Sequence, residues 1–145
     1  MLRLALWVPP GAEPLPPESV RQPALARYVE GWMQRPGDNG LAALVGGTTV
    51  GAVWLRLWRD EDRGYGFVDE ATPELSMAVR PEWRGRGIGT ALLRRVLAEV
   101  DRQRGADSLS VSEANPARRL YARTGFVAVG PPEGGAVVMV RRPGA

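Results

Sequence analysis

Six residues in the middle of the chain, Arg84-Gly85-Arg86-Gly87-Ile88-Gly89, combine permanent positive charge with a glycine at every second position. Glycine takes positive φ at no steric cost and lets a ligand approach closely, so such a loop exposes successive backbone N–H groups. Arg84 and Arg86 add two guanidinium charges beside them. The loop runs straight into an amphipathic stretch, whose unpaired first-turn N–H groups and positive dipole end favour phosphate. Together these features predict a cradle for a pyrophosphate.

The residue types that are missing narrow the chemistry. The chain of 145 residues has no His and no Cys, and all 19 of its basic residues are Arg. Thiol catalysis, disulfides, His-based serine triads, Schiff-base lysines and thiolate or imidazole metal sites are therefore excluded, and no metal is expected. A P-loop lacks its lysine, and a Rossmann fingerprint read from Gly85 and Gly87 has Thr90 where its third glycine belongs. Carboxylates, Tyr, Ser/Thr, Arg, backbone amides or a bound co-substrate must carry any reaction.

The elements that would hold these groups follow from periodicity and turn chemistry. Leu2, Leu4 and Leu6 alternate as a short first strand that Pro9 and Pro10 stop, and a proline-rich connection follows. Leu25, Tyr28, Val29, Trp32 and Met33 recur at helical spacing before Pro36-Gly37. Two strands, Leu41 to Val45 and Val50 to Trp58, flank Gly46-Gly47, a hairpin signal. Trp54, Arg56 and Trp58 share one face of the second strand, where the tryptophans either cover the sheet or line a cleft. A long polar loop from Arg59 to Pro73 carries Asp60, Glu61, Asp62, Asp69 and Glu70, either a lip attracting a cationic group or a solvated hairpin tip. Next comes a strand with Leu75, Met77 and Val79 on one face and Glu74, Ser76 and Ala78 on the other. After the glycine loop, Ile88, Leu92, Leu93, Val96, Leu97 and Val100 form a helix stripe ended near Gly105. The strand Ser108 to Ser112 then completes a βαβ unit with parallel strands. Asn115-Pro116 starts a short helix through Leu120 and Tyr121 that Gly125 ends, and Phe126 to Val129 with Val137 to Val140 form a closing hairpin. The expected fold is a single α+β domain over residues 1–145: a mixed, mostly antiparallel sheet of six or seven strands, helices on both faces and a central parallel βαβ unit.

Two motifs resemble the GNAT superfamily of acyl-CoA-dependent N-acyltransferases. The loop Arg84 to Gly89 is similar to its (Arg/Gln)-x-x-Gly-x-(Gly/Ala) signature. Downstream, Ala117, Leu120, Tyr121, Gly125 and Phe126 resemble its Asn-x-x-Ala-x-x-Leu-Tyr-x-x-x-Gly-Phe run, with Asn115 one residue closer to the alanine than in the family. The resemblance covers about Pro73 to Phe126 and implies that residues 73–145 bind acyl-CoA while residues 1–72 form the variable acceptor side. It implies an N-acetyltransferase moving acetyl directly from acetyl-CoA, as co-substrate, to a primary amine. The pantetheine arm would lie between the strand ending at Val79 and the strand around Ser110, against Met77, Ala78 and Val79, with the N–H of Val79 or a neighbour on the thioester carbonyl. Arg84, Gly85, Arg86, Gly87, Ile88, Gly89 and Thr90 would hold the pyrophosphate, Tyr121 would protonate the leaving thiolate, and Glu74 would serve as base with Ser76 orienting it.

Plainer readings stand beside these roles. Tyr121 fits an amphipathic core aromatic, Glu74 a solvated strand-end carboxylate, and Asn115 either an N-cap alone or a residue that also contacts pantetheine. Glu70, Asp69, Glu113 or a water chain are the other candidate bases. A non-catalytic acyl-CoA sensor is the alternative to an enzyme. The net charge of +3 is spread along the chain and no exposed aromatics interleave Arg84, Arg86, Arg118 and Arg119, so no nucleic-acid partner is expected. No segment reads as a membrane span or a leader, which points to a cytoplasmic protein with a small-molecule or peptide amine as acceptor. Homodimerisation through the C-terminal strands is a further expectation, and acetyl is chosen by frequency alone.

Overall fold

The computed structural model describes residue 18 and residues 21–103 and 105–143. The strand expected at Leu2 to Leu6, and most of the proline-rich connection after it, lie outside the described residues. Helix α1 (Pro23–Ala26) is followed by the strands β1 (Asn39–Val45), β2 (Thr48–Arg56) and β3 (Glu74–Val79). Helix α2 (Ile88–Arg102) leads to β4 (Asp107–Ser112), α3 (Ala117–Arg123), β5 (Val127–Glu133) and β6 (Ala136–Arg141). The six strands form one sheet in the order β1-β2-β3-β4-β6-β5, antiparallel except for the central β3–β4 pair. The expected mixed sheet and βαβ crossover are both present.

Turn chemistry sets the two hairpins. Gly46 and Gly47 have φ of 55° and 81°, Gly134 and Gly135 have 58° and 79°, and each pair forms the two-residue loop that demands positive φ twice. Crossover helix α2 buries Leu92, Leu93, Val96, Leu97 and Val100 against the sheet face made by Val53, Leu55, Leu75, Leu109, Val111, Val137 and Met139. At about 1.5–3 kcal/mol per buried apolar side chain, this face holds the domain together. Helix α3 joins the same core through Tyr121 and Leu120, and Phe126 closes it.

The opposite face carries a second cluster of Tyr28, Trp54 and Trp58, packed by Trp32, Ala52 and Phe67. Here the structure departs from the sequence pattern. The expected helix through Leu25 and Met33 stops at Ala26, and turns continue to Gly37. The reason lies in side chains from elsewhere. Arg56 Nη1 donates to the carbonyls of Arg27 (2.8 Å) and Glu30 (2.7 Å), while Asp38 Oδ2 accepts from the N–H of Met33 (2.9 Å) and Arg35 (3.4 Å). Gly31 and Met33 take φ of 61° and 67°, which no right-handed helix allows. Arg56 and Asp38 themselves form a buried pair, with Nε–Oδ1 at 2.9 Å and Nη2–Oδ2 at 2.8 Å. Val29 and Met33, expected in a core stripe, are exposed.

Candidate functional site

Strands β3 and β4 pair at a single register position, Glu74↔Ser108, where the Ser108 N–H donates to the Pro73 carbonyl at 3.0 Å. Beyond it they part. Each strand is committed to its outer neighbour: β3 to β2 over six positions, and β4 to β6 over six. The bond from Arg80 N–H to the Val50 carbonyl (2.8 Å) fixes the alternation on β3. Even-numbered residues therefore bond β2, and the main-chain groups of Met77 and Val79 face the gap. By the same alternation Ser110 and Ser112 present theirs from β4. Unpaired strand edges of this kind need a partner.

The gap widens into a cleft of about 900 Å³ that runs from Tyr28, Tyr65 and Glu74 at one end to the glycine loop at the other. Met77, Ala78, Val79, Arg84, Gly85, Gly87, Ile88, Gly89, Thr90, Asn115 and Tyr121 all line it, as do Ser76 and Ser110. Gly85 and Gly87 have φ of 75° and 82°, and a Cβ on either would meet nothing within 4 Å, so the loop is an open concavity. Gly87 is also the N-cap of α2. Arg84 donates Nε to the Val79 carbonyl at 3.0 Å, which ties the loop to the end of β3. Arg86 does not line the cleft; its guanidinium lies 4.6 Å from the Trp83 ring centroid.

Tyr121 is 8 % exposed, packs edge-on to Phe126 with ring centroids 5.8 Å apart, and has its hydroxyl pushed up to about 12 by burial. No group among the described residues hydrogen-bonds that hydroxyl, and burial keeps it in its neutral, protonated form. Asn115 Oδ1 accepts from the Ala117 N–H at 2.9 Å, and Pro116 already has helical angles of −57° and −24°. Asn115 is thus the working cap of α3, while also lining the cleft.

Glu74 is 4 % exposed and is neither a solvated strand end nor oriented by Ser76. Its Oε1 accepts from Trp58 Nε1 (3.0 Å) and the Gly66 N–H (2.9 Å), and its Oε2 accepts from the Tyr28 hydroxyl (2.8 Å). Burial pushes the carboxyl above its usual range, against the pull of those three donors and the charge of Arg27. Tyr28 OH accepts in turn from the Tyr65 N–H at 2.7 Å, and burial followed by the nearby Glu74 charge pushes its own pKa up. Tyr28 and Tyr65 stack with centroids 6.4 Å apart. Neither Trp54 nor Trp58 lines the cleft; Trp58 acts through Glu74 from beneath.

The other carboxylates proposed as bases lie outside this cleft. Glu70 accepts from the Asp60 N–H (3.0 Å) and Asp69 from the Ala71 N–H (3.0 Å), and Glu113 is exposed on the turn after β4. The acidic lip is answered internally, since Asp62 pairs with Arg27 (4.0 Å) and Arg35 (3.6 Å), and Asp60 with Arg63. What the sequence missed is the Gly64-Tyr65-Gly66 loop. A Cβ on Gly64 would fall on Glu74 Oε1 and Trp58 Nε1, and one on Gly66 would come within 2.9 Å of Glu74 Cδ. Two glycines around an aromatic, inside an acidic loop, were the available signal. Among the described residues no helix is long and apolar enough to cross a membrane.

A mixed sheet parted at its centre beside a glycine loop and a helix N-terminus defines the GNAT fold. The sequence model of the Acetyltransferase (GNAT) family matches residues 6–126, and the chain belongs to that family. A putative GNAT-family acetyltransferase from Bordetella pertussis is similar at 23 % identity, over 96 % of this chain and 85 % of that one, with a TM-score of 0.69. PH1933 from Pyrococcus horikoshii OT3 is similar at 23 % identity, over 99 % and 88 % of the two chains, with a TM-score of 0.68. The PaiA N-acetyltransferase from Thermoplasma acidophilum, solved in complex with coenzyme A, is 17 % identical over 87 % and 71 %, with a TM-score of 0.59. At these identities the likeness is one of fold. No curated protein matches the chain.

Proposed function

We propose that the protein is an N-acetyltransferase that moves an acetyl group directly from acetyl-CoA to the primary amine of a small molecule or peptide. The observation that carries this reading is the parting of β3 and β4 after Glu74↔Ser108, with the gap running into the Arg84–Thr90 loop. An extended pantetheine arm fits there as an added strand, bonding the main-chain groups of Met77 and Ser110 and the N–H of Val79, whose carbonyl already accepts from Arg84. The loop amides, the α2 N-terminus and Arg84 suit the pyrophosphate. The T. acidophilum relative bound to coenzyme A supports that choice of ligand.

In the reaction the amine nitrogen bonds to the thioester carbon, and the carbon–sulfur bond breaks. The N–H of Val79, or of Met77 one turn of the pleat earlier, would stabilise the carbonyl oxygen as it gains charge. Tyr121 would give its proton to the departing thiolate and recover one from solvent. The amine must also lose a proton, and Glu74 is the carboxylate at the acceptor end of the cleft. At about 3.3 Å per residue it lies roughly 10–16 Å along β3 from the Met77 and Val79 amides, so the proton reaches it through cleft water. The test is release of free CoA from acetyl-CoA across a broad panel of amines, beside calorimetric titration with acetyl-CoA. Release with at least one amine is expected. Tight acetyl-CoA binding with no release for any amine would replace the enzyme by a sensor.

A further inference from the structure

Glu74 Oε1 already accepts two hydrogen bonds, from Trp58 and Gly66, and Oε2 accepts one, from Tyr28. A carboxylate oxygen offers two lone pairs. The open position is therefore on Oε2, beside the Tyr28 hydroxyl, at the end of the cleft that Tyr28 and Tyr65 line.

We infer that Tyr28 is the positioning residue of the reaction: its hydroxyl aims Glu74 Oε2 at the acceptor end of the cleft, where that oxygen takes the amine's proton. The inference rests on the acetyltransferase reading above. A proton leaving the amine passes through cleft water to Oε2, gives a neutral carboxylic acid, and returns to solvent after the amide has formed. A hydrogen bond to the carboxylate favours the ionised form, whereas burial favours the acid, so the donor at Oε2 decides at which pH the oxygen is available.

The surroundings are built for this. Tyr28 is fixed from three sides: it accepts from the Tyr65 N–H at 2.7 Å, meets the Trp58 ring edge-on at 5.0 Å, and follows a carbonyl, that of Arg27, clamped by Arg56 at 2.8 Å. Ser108 Oγ donates to the Gly66 carbonyl at 2.7 Å, which pins the loop whose N–H serves Oε1. Gly64 and Gly66 leave no room for a Cβ around the carboxylate. Among the described residues, Arg27 and Arg56 are the charged groups that the neighbouring elements bring toward Glu74. Arg27 favours the carboxylate, and Arg56, the cross-strand neighbour on β2, has its guanidinium committed to Asp38. From β4 the facing residue is the uncharged Ser108. Tyr28 thus supplies the one hydrogen bond at Oε2 among the described residues.

The experiment follows the Glu74 carboxyl carbon by ¹³C NMR against pH in wild type and Tyr28→Phe, together with kcat/KM for the best amine over the same range. Loss of a hydrogen bond to a charged group is expected to raise the Glu74 midpoint by roughly one to two pH units. The acidic limb of kcat/KM should move with it by the same amount. Equal midpoints would overturn the inference, as would a lowered plateau with an unmoved limb, the mark of a merely structural tyrosine. In unmutated protein the Tyr28 Cζ resonance should shift at the Glu74 midpoint, so the inference is decided even where Tyr28→Phe does not fold; a Cζ resonance silent through that range overturns it. A wild type that releases no CoA with any amine would refute the acetyltransferase reading, while the two NMR midpoints still decide the Tyr28–Glu74 coupling.

Discussion

Asp107 offers the sharpest quantitative check on the packing behind the cleft. It begins β4, is 0 % exposed, and neither carboxylate oxygen has a hydrogen-bond partner among the described residues. Its cross-strand neighbour Arg141 is close enough to attract it, but that guanidinium is taken by Asp101 at 2.8 and 2.9 Å and by the Thr124 carbonyl at 2.9 Å. Burial therefore dominates and pushes the Asp107 carboxyl from an ordinary 3.8 up to about 7, with Arg141 pulling it down and Asp101 adding to the rise.

The sign of the stability effect follows from proton counts. Below about pH 4 both the folded and the unfolded chain hold this proton. Between about pH 4 and pH 7 the folded chain keeps a proton that the unfolded chain has released, so stability falls as pH rises, by about 1.4 kcal/mol per unit. Above about pH 7 the loss is complete and amounts to about 4 kcal/mol, a large share of a typical domain's stability. Asp107→Asn removes the titration and leaves a neutral amide, which costs far less to bury than a carboxylate. Urea unfolding of both proteins, followed by tryptophan fluorescence from pH 4.5 to 8.5, isolates the residue, because other titrations cancel in the difference. The variant should gain on wild type steadily up to about pH 7 and then run parallel to it. A difference that stays flat across the range would refute the reasoning.

Three further outcomes follow from the site. Tyr121→Phe should lower kcat by roughly 10- to 10⁴-fold, measured at saturating acetyl-CoA, with the melting temperature little changed, since the hydroxyl has no hydrogen-bond partner among the described residues. Asp38→Ala leaves the buried Arg56 guanidinium uncompensated and should cost about 3–5 kcal/mol in urea unfolding, whereas Asp60→Ala, at an exposed pair, should cost under about 1 kcal/mol. Gly87→Ala puts a side chain on a residue with φ of 82°. That should cost about 1–2 kcal/mol of stability and raise the calorimetric Kd for CoA by distorting the first amides of α2.

Much of this architecture was legible because the determinants are local. The α2 stripe, the Gly46-Gly47 and Gly134-Gly135 turns and the β3–α2–β4 crossover each follow from residues within one or two turns of each other, and the structure forms all of them. The segment after Ala26 was not legible for the opposite reason. Its apolar spacing is helical, but its main-chain partners come from Arg56, 29 and 26 residues away, and tertiary bonds override a local pattern.

The same division holds within the site. The Arg84–Gly89 loop is a contiguous run of residues, so its spacing and glycines could be read directly. The surroundings of Glu74 are assembled from Tyr28 and Trp58, 46 and 16 residues distant, and from a loop whose glycines matter only because a carboxylate lies against them. Periodicity put Ser76 on the face of Glu74, and a face shared along one strand says nothing about what the facing chain brings. Nor could pattern alone show where β3 and β4 part, since their pairing with β2 and β6 is satisfied along the whole length of each strand. The gap lies where the two antiparallel halves of the sheet meet at one register position, Glu74↔Ser108. Glu74, the carboxylate proposed to receive the amine's proton, stands at that junction, where the cleft begins.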